Sequence, residues 1–215
     1  MLPFTSDQFF GVFGAYNAAV WPAQLFLLAL AVVALMLVAF PRAWAGWAIS
    51  AILAFLWAWL TLAYHLAFIA AINTLAYVFA AVSAAGALVF AWQGMVRRNL
   101  RFQFAPTARV AVGIALVVFA LLIYPAWSAN SGHAYPAMPT FGLPCPTTLF
   151  TVGLLAFLVP PYPRSALVVP LLWCLVGSQA AFLLGVWQDL GLLVAAAVGA
   201  VLIARPSVSA ARVIP

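Results

Sequence analysis

A chain of 215 residues that is 69% hydrophobic and 5% charged is excluded from the soluble globular class, in which charged residues make up roughly a quarter of the total. Its formal net charge of +6 comes from arginines alone, with no lysine, no glutamate, and only Asp7 and Asp189 as acids. The arginines lie singly or in short groups between apolar runs and form no single basic face, which excludes a nucleic-acid-binding surface. At about 20 apolar residues per crossing, the chain has room for about seven spans in one transmembrane helical bundle over 1–215 and none for a separate soluble domain.

The opening stretch MLPFTSDQFFGVFGAYNAAVWP holds Asp7 and no basic residue, so it does not read as a signal peptide. Thr5 or Ser6 can cap a helix with Asp7 in its first turn and Phe9, Phe10, Phe13 and Tyr16 on one stripe. This predicts an interfacial helix that feeds the first span. The apolar runs then predict spans over Pro22 to Phe40, Ala43 to Leu62, Ala70 to Trp92, Thr107 to Ala126, Thr147 to Val159, Ser165 to Leu184 and Val186 to Ala204. The run from Trp44 to Trp92 is about twice too long for one crossing, and Tyr64-His65 is the polar place for it to turn. The fifth span is short and ends in Pro160, Pro161 and Pro163. It therefore reads as tilted or partly re-entrant, a form tolerated only where irregular backbone is buried in protein or lines a wet cavity.

Orientation follows from the arginines. Arg42, the group Arg97, Arg98, Arg101 and Arg109, then Arg164, and finally Arg205 and Arg212 all fall on one side of a seven-span arrangement. The positive-inside rule makes that side cytoplasmic, with the N-terminus outside and the C-terminus inside. Trp44, Trp47 and Trp92 then mark the inner interface, and Trp21, Trp127 and Trp187 the outer one. Gly191, Ala195 and Gly199, spaced by four, read as a helix-packing stripe.

The one long polar interruption is SANSGHAYPAMPTFGLPCPTT, Ser128 to Thr148. With this topology His133 and Cys145 share the outer face with Asp7, Tyr64, His65, Asn73 and Asp189. His65, His133 and the Cys145 thiolate are a donor set suited to zinc or copper, with Met138 as a soft addition. No H-x-x-x-H or C-x-x-C spacing supports it, so such ligands would have to converge through tertiary structure alone, and the simpler reading of each histidine is a capping or loop hydrogen-bonding residue at the interface. Pro144-Cys145-Pro146 places Cys145 close to the N-cap of the fifth span, where backbone N–H groups and the Thr147 and Thr148 hydroxyls could hold an anion or a thiolate. The alternative is a rigid, proline-braced turn with an inert thiol. Cys174 lies about 15 Å below the outer end of its span, too deep to pair with Cys145. Asp189 and Asp7 suit helix starts, and a carboxylate that instead faced the bundle would be a cation or proton site. Asn17, Asn73 and Gln24 can serve as interhelical hydrogen bonds.

A retinal Schiff base needs a lysine, and this chain has none. There is no G-x-S-x-G elbow and no phosphate-binding glycine fingerprint. The segments MLPFTSDQF, YNAAVWPAQ, YHLAFIAAIN, HAYPAMPTFGLPCPTT and DLGLLVA together resemble an uncharacterised bacterial family of multi-pass membrane proteins, a domain of unknown function. The resemblance implies the bacterial inner membrane and brings no activity. The expectation is an all-α, seven-span protein with an outward-facing polar site built from Tyr64, His65, Asn73, His133, Cys145, Thr147, Thr148 and Asp189. Its role is then transport or binding of a small solute or ion. The competing readings are a membrane enzyme, metal-dependent or not, acting on a lipid-like substrate, and an accessory subunit whose partners are other membrane proteins or a second copy.

Overall fold

The structure is a computed structural model that describes residues 3–204; Arg205 and Arg212, two of the orienting arginines, lie outside the described residues. It is all-helical. Helix α1 (Ser6–Val20) begins with a capping box in which the Gln8 N–H donates to the Thr5 hydroxyl and the Thr5 N–H donates to the Gln8 side chain. This satisfies two of the N–H groups left free at a helix start. Phe10, Phe13 and Tyr16 are its buried stripe, as the spacing predicts. At Trp21-Pro22 the chain turns through 87° into α2 (Ala23–Ala39).

Helix α3 (Ala45–Trp59) does not stop at the expected turn. It widens into a π-helical segment, Leu60–Leu66, and continues through a 3-10 turn, Ile69–Ala71, as one apolar rod of 27 residues. Tyr64 and His65 are therefore buried inside a helix, and the reversal falls at 72–75, where Asn73 Oδ1 accepts from the Leu75 N–H. The expectation that Tyr64-His65 forms the turn is corrected here. A π turn adds about one residue to a turn and so shifts the face on which side chains fall; Tyr64 and His65 face protein where a surface turn would have exposed them. Helix α4 (Ala76–Phe90) extends likewise through Ala91–Val96.

Helix α5 (Ala108–Val118) passes through a π segment, Phe119–Ile123, into α6 (Tyr124–Asn130). Pro125 has no N–H and its ring crowds the preceding turn; the wide segment before it accommodates both effects. The irregular stretch is consequently shorter than Ser128 to Thr148 and runs from Ser131 to Leu143. Helix α8 (Ser165–Gly177) continues as α9 (Gln179–Leu184), and a 3-10 turn, Trp187–Asp189, leads into α10 (Leu190–Ala204).

At the centre stands α7 (Pro144–Leu155), twelve residues buried on nearly every side by α5, α8 and α10. A helix apolar all round belongs in the interior of a bundle. Where α5 and α7 cross, Gly113 faces Gly153: a Cβ on Gly113 would stand 2.7 Å from the Gly153 carbonyl oxygen, and one on Gly153 would stand 2.8 Å from that of Gly113. Only glycine lets the two backbones meet this closely. The Trp57 indole donates to Thr151 Oγ1 at 3.2 Å, joining α3 to the same helix. Below α7, Val159 N–H donates to the Arg101 carbonyl (2.8 Å) and Gln103 N–H to that of Phe157 (3.0 Å), so its exit is clipped to the loop that follows α4. Gly199 receives Leu171 and Gly191 receives Phe119, so both glycines of the α10 stripe act in packing.

Five of these helices, with α3 to α6, α8 and α9 taken in their continuous lengths, are long and apolar enough to cross a membrane; the bent pair α1 and α2 makes a sixth, and α7 is a shorter apolar helix. Gly153→Leu should drive its side chain into the α5 backbone and lower stability by about 1–3 kcal/mol, the usual cost of overpacking, measured by denaturant unfolding in detergent. Gly11→Ala, whose Cβ meets nothing within 4 Å, should instead gain up to about 1 kcal/mol from helix propensity.

Candidate functional site

The site forms where five chain segments meet at the N-terminal end of α7. The π segment after α3 delivers Tyr64 and His65, α6 delivers Tyr124, α7 delivers Cys145, α8 delivers Trp173, and the turn before α10 delivers Asp189; together they line one cavity of about 500 Å³. The remaining wall is mostly apolar, with Phe4, Phe9 and Phe13 closing one side. Gly177, on the chamber wall, has no room for a side chain: a Cβ there would come within 2.7 Å of Leu192 Cδ1, 3.2 Å of Trp173 Nε1 and 3.3 Å of Cys145 Sγ.

Two kinds of polar group line it. Asp189 is buried and accepts a hydrogen bond from the Tyr124 hydroxyl, and the Cys145 thiol lies against both of them and against Trp173. His65 is different. It is 1% exposed, yet neither Nδ1 nor Nε2 has a hydrogen-bond partner. Its ring is held by aromatic neighbours, with centroids 5.0 Å from Trp173, 5.3 Å from Tyr64 and 5.9 Å from Phe79. Trp173 Nε1 instead stands beside the Cys145 thiol. Buried donors and acceptors are nearly always paired, and each left unpaired costs about 1–3 kcal/mol. His65 is thus an imidazole held in an aromatic cage beside the chamber, with both nitrogens buried and unpaired.

Of the residues expected from sequence, Tyr64, His65, Asn73, Cys145 and Asp189 come together around this cavity. His133 does not: its ring stacks on Phe10 with centroids 3.6 Å apart. Thr147 and Thr148 are fully buried in the packing of α7, with Thr147 Oγ1 accepting from the Gly142 N–H at 3.3 Å, and neither lines the chamber. Among the described residues no three His, Cys, Asp or Glu side chains are grouped to hold a metal ion. The zinc or copper set His65, His133 and Cys145 therefore does not assemble, because the loop carrying His133 is drawn onto α1 while His65 turns into the bundle. Cys145 and Cys174 are both free thiols.

What draws that loop aside is Asn17, fully buried on α1. Its Nδ2 donates to the Pro136 and Met138 carbonyls (2.6 and 2.8 Å), its Oδ1 accepts from Thr140 Oγ1 (2.6 Å) and Gln24 Nε2 (3.2 Å), and its own carbonyl accepts from Tyr135 (3.3 Å). Next to it, Tyr16 donates to the Gly142 carbonyl (3.3 Å) and accepts from the Trp59 indole (2.7 Å). The residues that sequence reasoning missed are Tyr124 and Trp173. Pro125 directly after Tyr124 was the available signal for a disturbed, inward-turned helix; Trp173 carried none.

Fold and site together define an all-helical membrane protein with an apolar, partly aromatic-walled chamber at the N-terminal end of α7. A family profile described as Family of unknown function (DUF6064) matches residues 6–212, and the chain belongs to that family. No curated protein and no solved structure matches it.

Replacing Asn17 with alanine removes hydrogen bonds worth about 1 kcal/mol each and strands two loop carbonyls. Hydrogen exchange should rise across the Ser131 to Leu143 loop by at least an order of magnitude while the α5 and α7 amides keep their protection.

Proposed function

We propose that this protein is a seven-crossing component of the bacterial inner membrane that binds, for transport, a small and largely apolar solute carrying a hydrogen-bonding head. The observation that carries the reading is His65, a caged imidazole with both nitrogens unpartnered on the wall of a 500 Å³ chamber. That volume falls within the range of about 300–1,000 Å³ typical of small-molecule sites. The apolar lining suits the body of such a solute, and His65 with Trp173 would receive its head. A mostly apolar wall favours this solute class over a bare ion, which needs several convergent charges or carbonyls.

The topology of this reading has α7 as the seventh crossing, the N-terminus outside and the arginines in the cytoplasm. It is supported by Arg42, Arg98 and Arg101 lining one cavity with Val159, at the end of α7 opposite Cys145. It is supported also by the exposure of all six tryptophans expected at the interfaces, Trp21, Trp44, Trp47, Trp92, Trp127 and Trp187, while Trp57 and Trp173 are buried. In a Cys145→Ala, Cys174→Ala background, Ser131→Cys should react with an impermeant maleimide in intact spheroplasts and Asn99→Cys only after lysis; the reverse pattern refutes the orientation.

Species extracted from the purified protein and identified by mass spectrometry test the binding role. A small molecule with an apolar body should be recovered near stoichiometrically from the natural chain. His65→Phe should weaken its retention about tenfold, the loss of one hydrogen bond worth about 1.4 kcal/mol, without loss of thermal stability. Equal retention by the variant would remove His65 from the site. The convergence of Cys145, Tyr124 and Asp189 favours a second reading, an enzyme acting on a lipid-like substrate. Under it Cys145→Ala should change the chemical identity of the extracted species, whereas a binding or transport role leaves that identity unchanged.

A further inference from the structure

We propose that the second cavity, at the arginine end of the bundle, is a binding site for the phosphate of an anionic phospholipid headgroup. This site is separate from the His65 chamber and stands whether or not that chamber binds a solute.

The site is built by one glycine. A Cβ at Gly46, in the first turn of α3, would collide with the Leu100 carbonyl, so only glycine lets the loop after α4 lie against the start of α3. Leu100 and Phe102 are buried and anchor that loop, and its backbone bonds to Val159 and Phe157 hold it in register. The result brings Arg98 and Arg101 alongside Arg42 around a cavity of about 470 Å³. Orientation by the positive-inside rule requires arginines only on one side of the membrane; it does not require three of them to share one concave surface.

Their charge has no counterpart in the chain. The sequence contains two acids, Asp7 and Asp189; the first lies in α1, and the second is buried with Tyr124 at the opposite end of the bundle. The first turn of α3 opens onto the same cavity and its N-cap, Trp44, supplies no side-chain hydrogen bond, so backbone N–H groups add to the positive field. Arg98 also occupies a left-handed backbone position, φ 53°, at the end of the helix running through Val96. Glycine is the residue favoured there. An arginine in that place indicates that its side chain, more than its backbone, is what the position uses. Guanidinium groups recognise phosphate oxygens in bidentate fashion.

A lipid fits better than free phosphate because the rim is amphipathic. Trp44 and Trp47 line the cavity and are 57% and 43% exposed, the placement of indoles at the headgroup level of a bilayer. Basic pockets on the cytoplasmic side are where anionic headgroups are held.

The test is native mass spectrometry of the full chain, purified in mild detergent, stripped of lipid and titrated separately with phosphatidylglycerol, phosphatidylcholine and inorganic phosphate. The natural protein should retain phosphatidylglycerol at least about fivefold over phosphatidylcholine, as one or more arginine contacts at a membrane surface predict. Arg98→Gly with Arg101→Gln should abolish that preference; glycine suits the φ at 98, so the loss is not a failure to fold. Arg97→Gln should keep the preference, because Arg97 lies over the Trp92 ring at 5.1 Å and does not line the cavity. Equal retention of the two lipids, or loss of preference in Arg97→Gln as large as in the double variant, overturns the site. Binding of inorganic phosphate without lipid preference overturns the lipid assignment and makes the cavity a site for a soluble phosphate.

Discussion

The backbone contact between Gly113 and Gly153 is the constraint on which the rest of this structure depends. In an apolar medium there is no hydrophobic drive to press one apolar helix against another, so helices associate through close packing and buried polar contacts. A twelve-residue helix rises only about 18 Å at 1.5 Å per residue, so it completes a crossing of a roughly 30 Å hydrocarbon core only together with the irregular chain at its two ends. It can stand at the centre only if its neighbours cover it completely and the irregular backbone at both ends is held by protein. The glycine crossing supplies the cover on one side, Trp57 to Thr151 secures another, and the Arg101–Val159 clip holds the exit. The His65 chamber and the arginine-lined cavity then lie at the two ends of α7, each formed where chain arriving at or leaving that helix meets its neighbours.

Asn17 and His65 show how differently a buried polar group can be treated within one bundle. Asn17 is saturated: its amide and carbonyl bond four residues of the Ser131 to Leu143 loop and Gln24 of α2, and so fix that loop against α1. Its role is architectural, and it is complete without any other molecule. His65 is as deeply buried and has no partner at either nitrogen. The cost of an unpaired buried imidazole is comparable with the gain from a saturated amide. The contrast is what directs attention to the chamber around His65 rather than to the polar loop.

The same loop illustrates why a polar stretch is a poor guide to a site. In sequence, His133 and its surroundings are the obvious place for chemistry. In the fold, His133 stacks on Phe10, Ser128 Oγ donates to the His133 carbonyl, and the prolines shape a cover that Asn17 pins in place. The groups that gather around the chamber come from apolar helices, where a wide π turn before Tyr124 and another at Tyr64-His65 rotate single polar residues inward.

The sequence by itself determined that the chain is helical and membrane-embedded, because 69% hydrophobic content with almost no charge leaves no other way to satisfy the backbone. Helix limits set by strong local signals were legible too: a cap at Thr5 or Ser6 at the start of α1, Ser165 to Leu184 as one continuous apolar rod, and the proline-braced entry of Cys145 into α7. Five of the eight residues expected at a site line the one chamber, and each stands out in the sequence as a polar side chain in an apolar chain. Tertiary structure alone decided which polar residues meet. No spacing in the sequence relates Tyr124, Cys145, Trp173 and Asp189, which lie on four different helical elements. The turn expected at Tyr64-His65 moved to 72–75 because π-helical winding and aromatic packing outweighed the preference of polar residues for a turn. His133 was lost to the site, and Arg98 brought beside Arg42, by close approaches that depend on neighbours distant in the chain: the amide of Asn17 in one case, the missing side chain of Gly46 in the other.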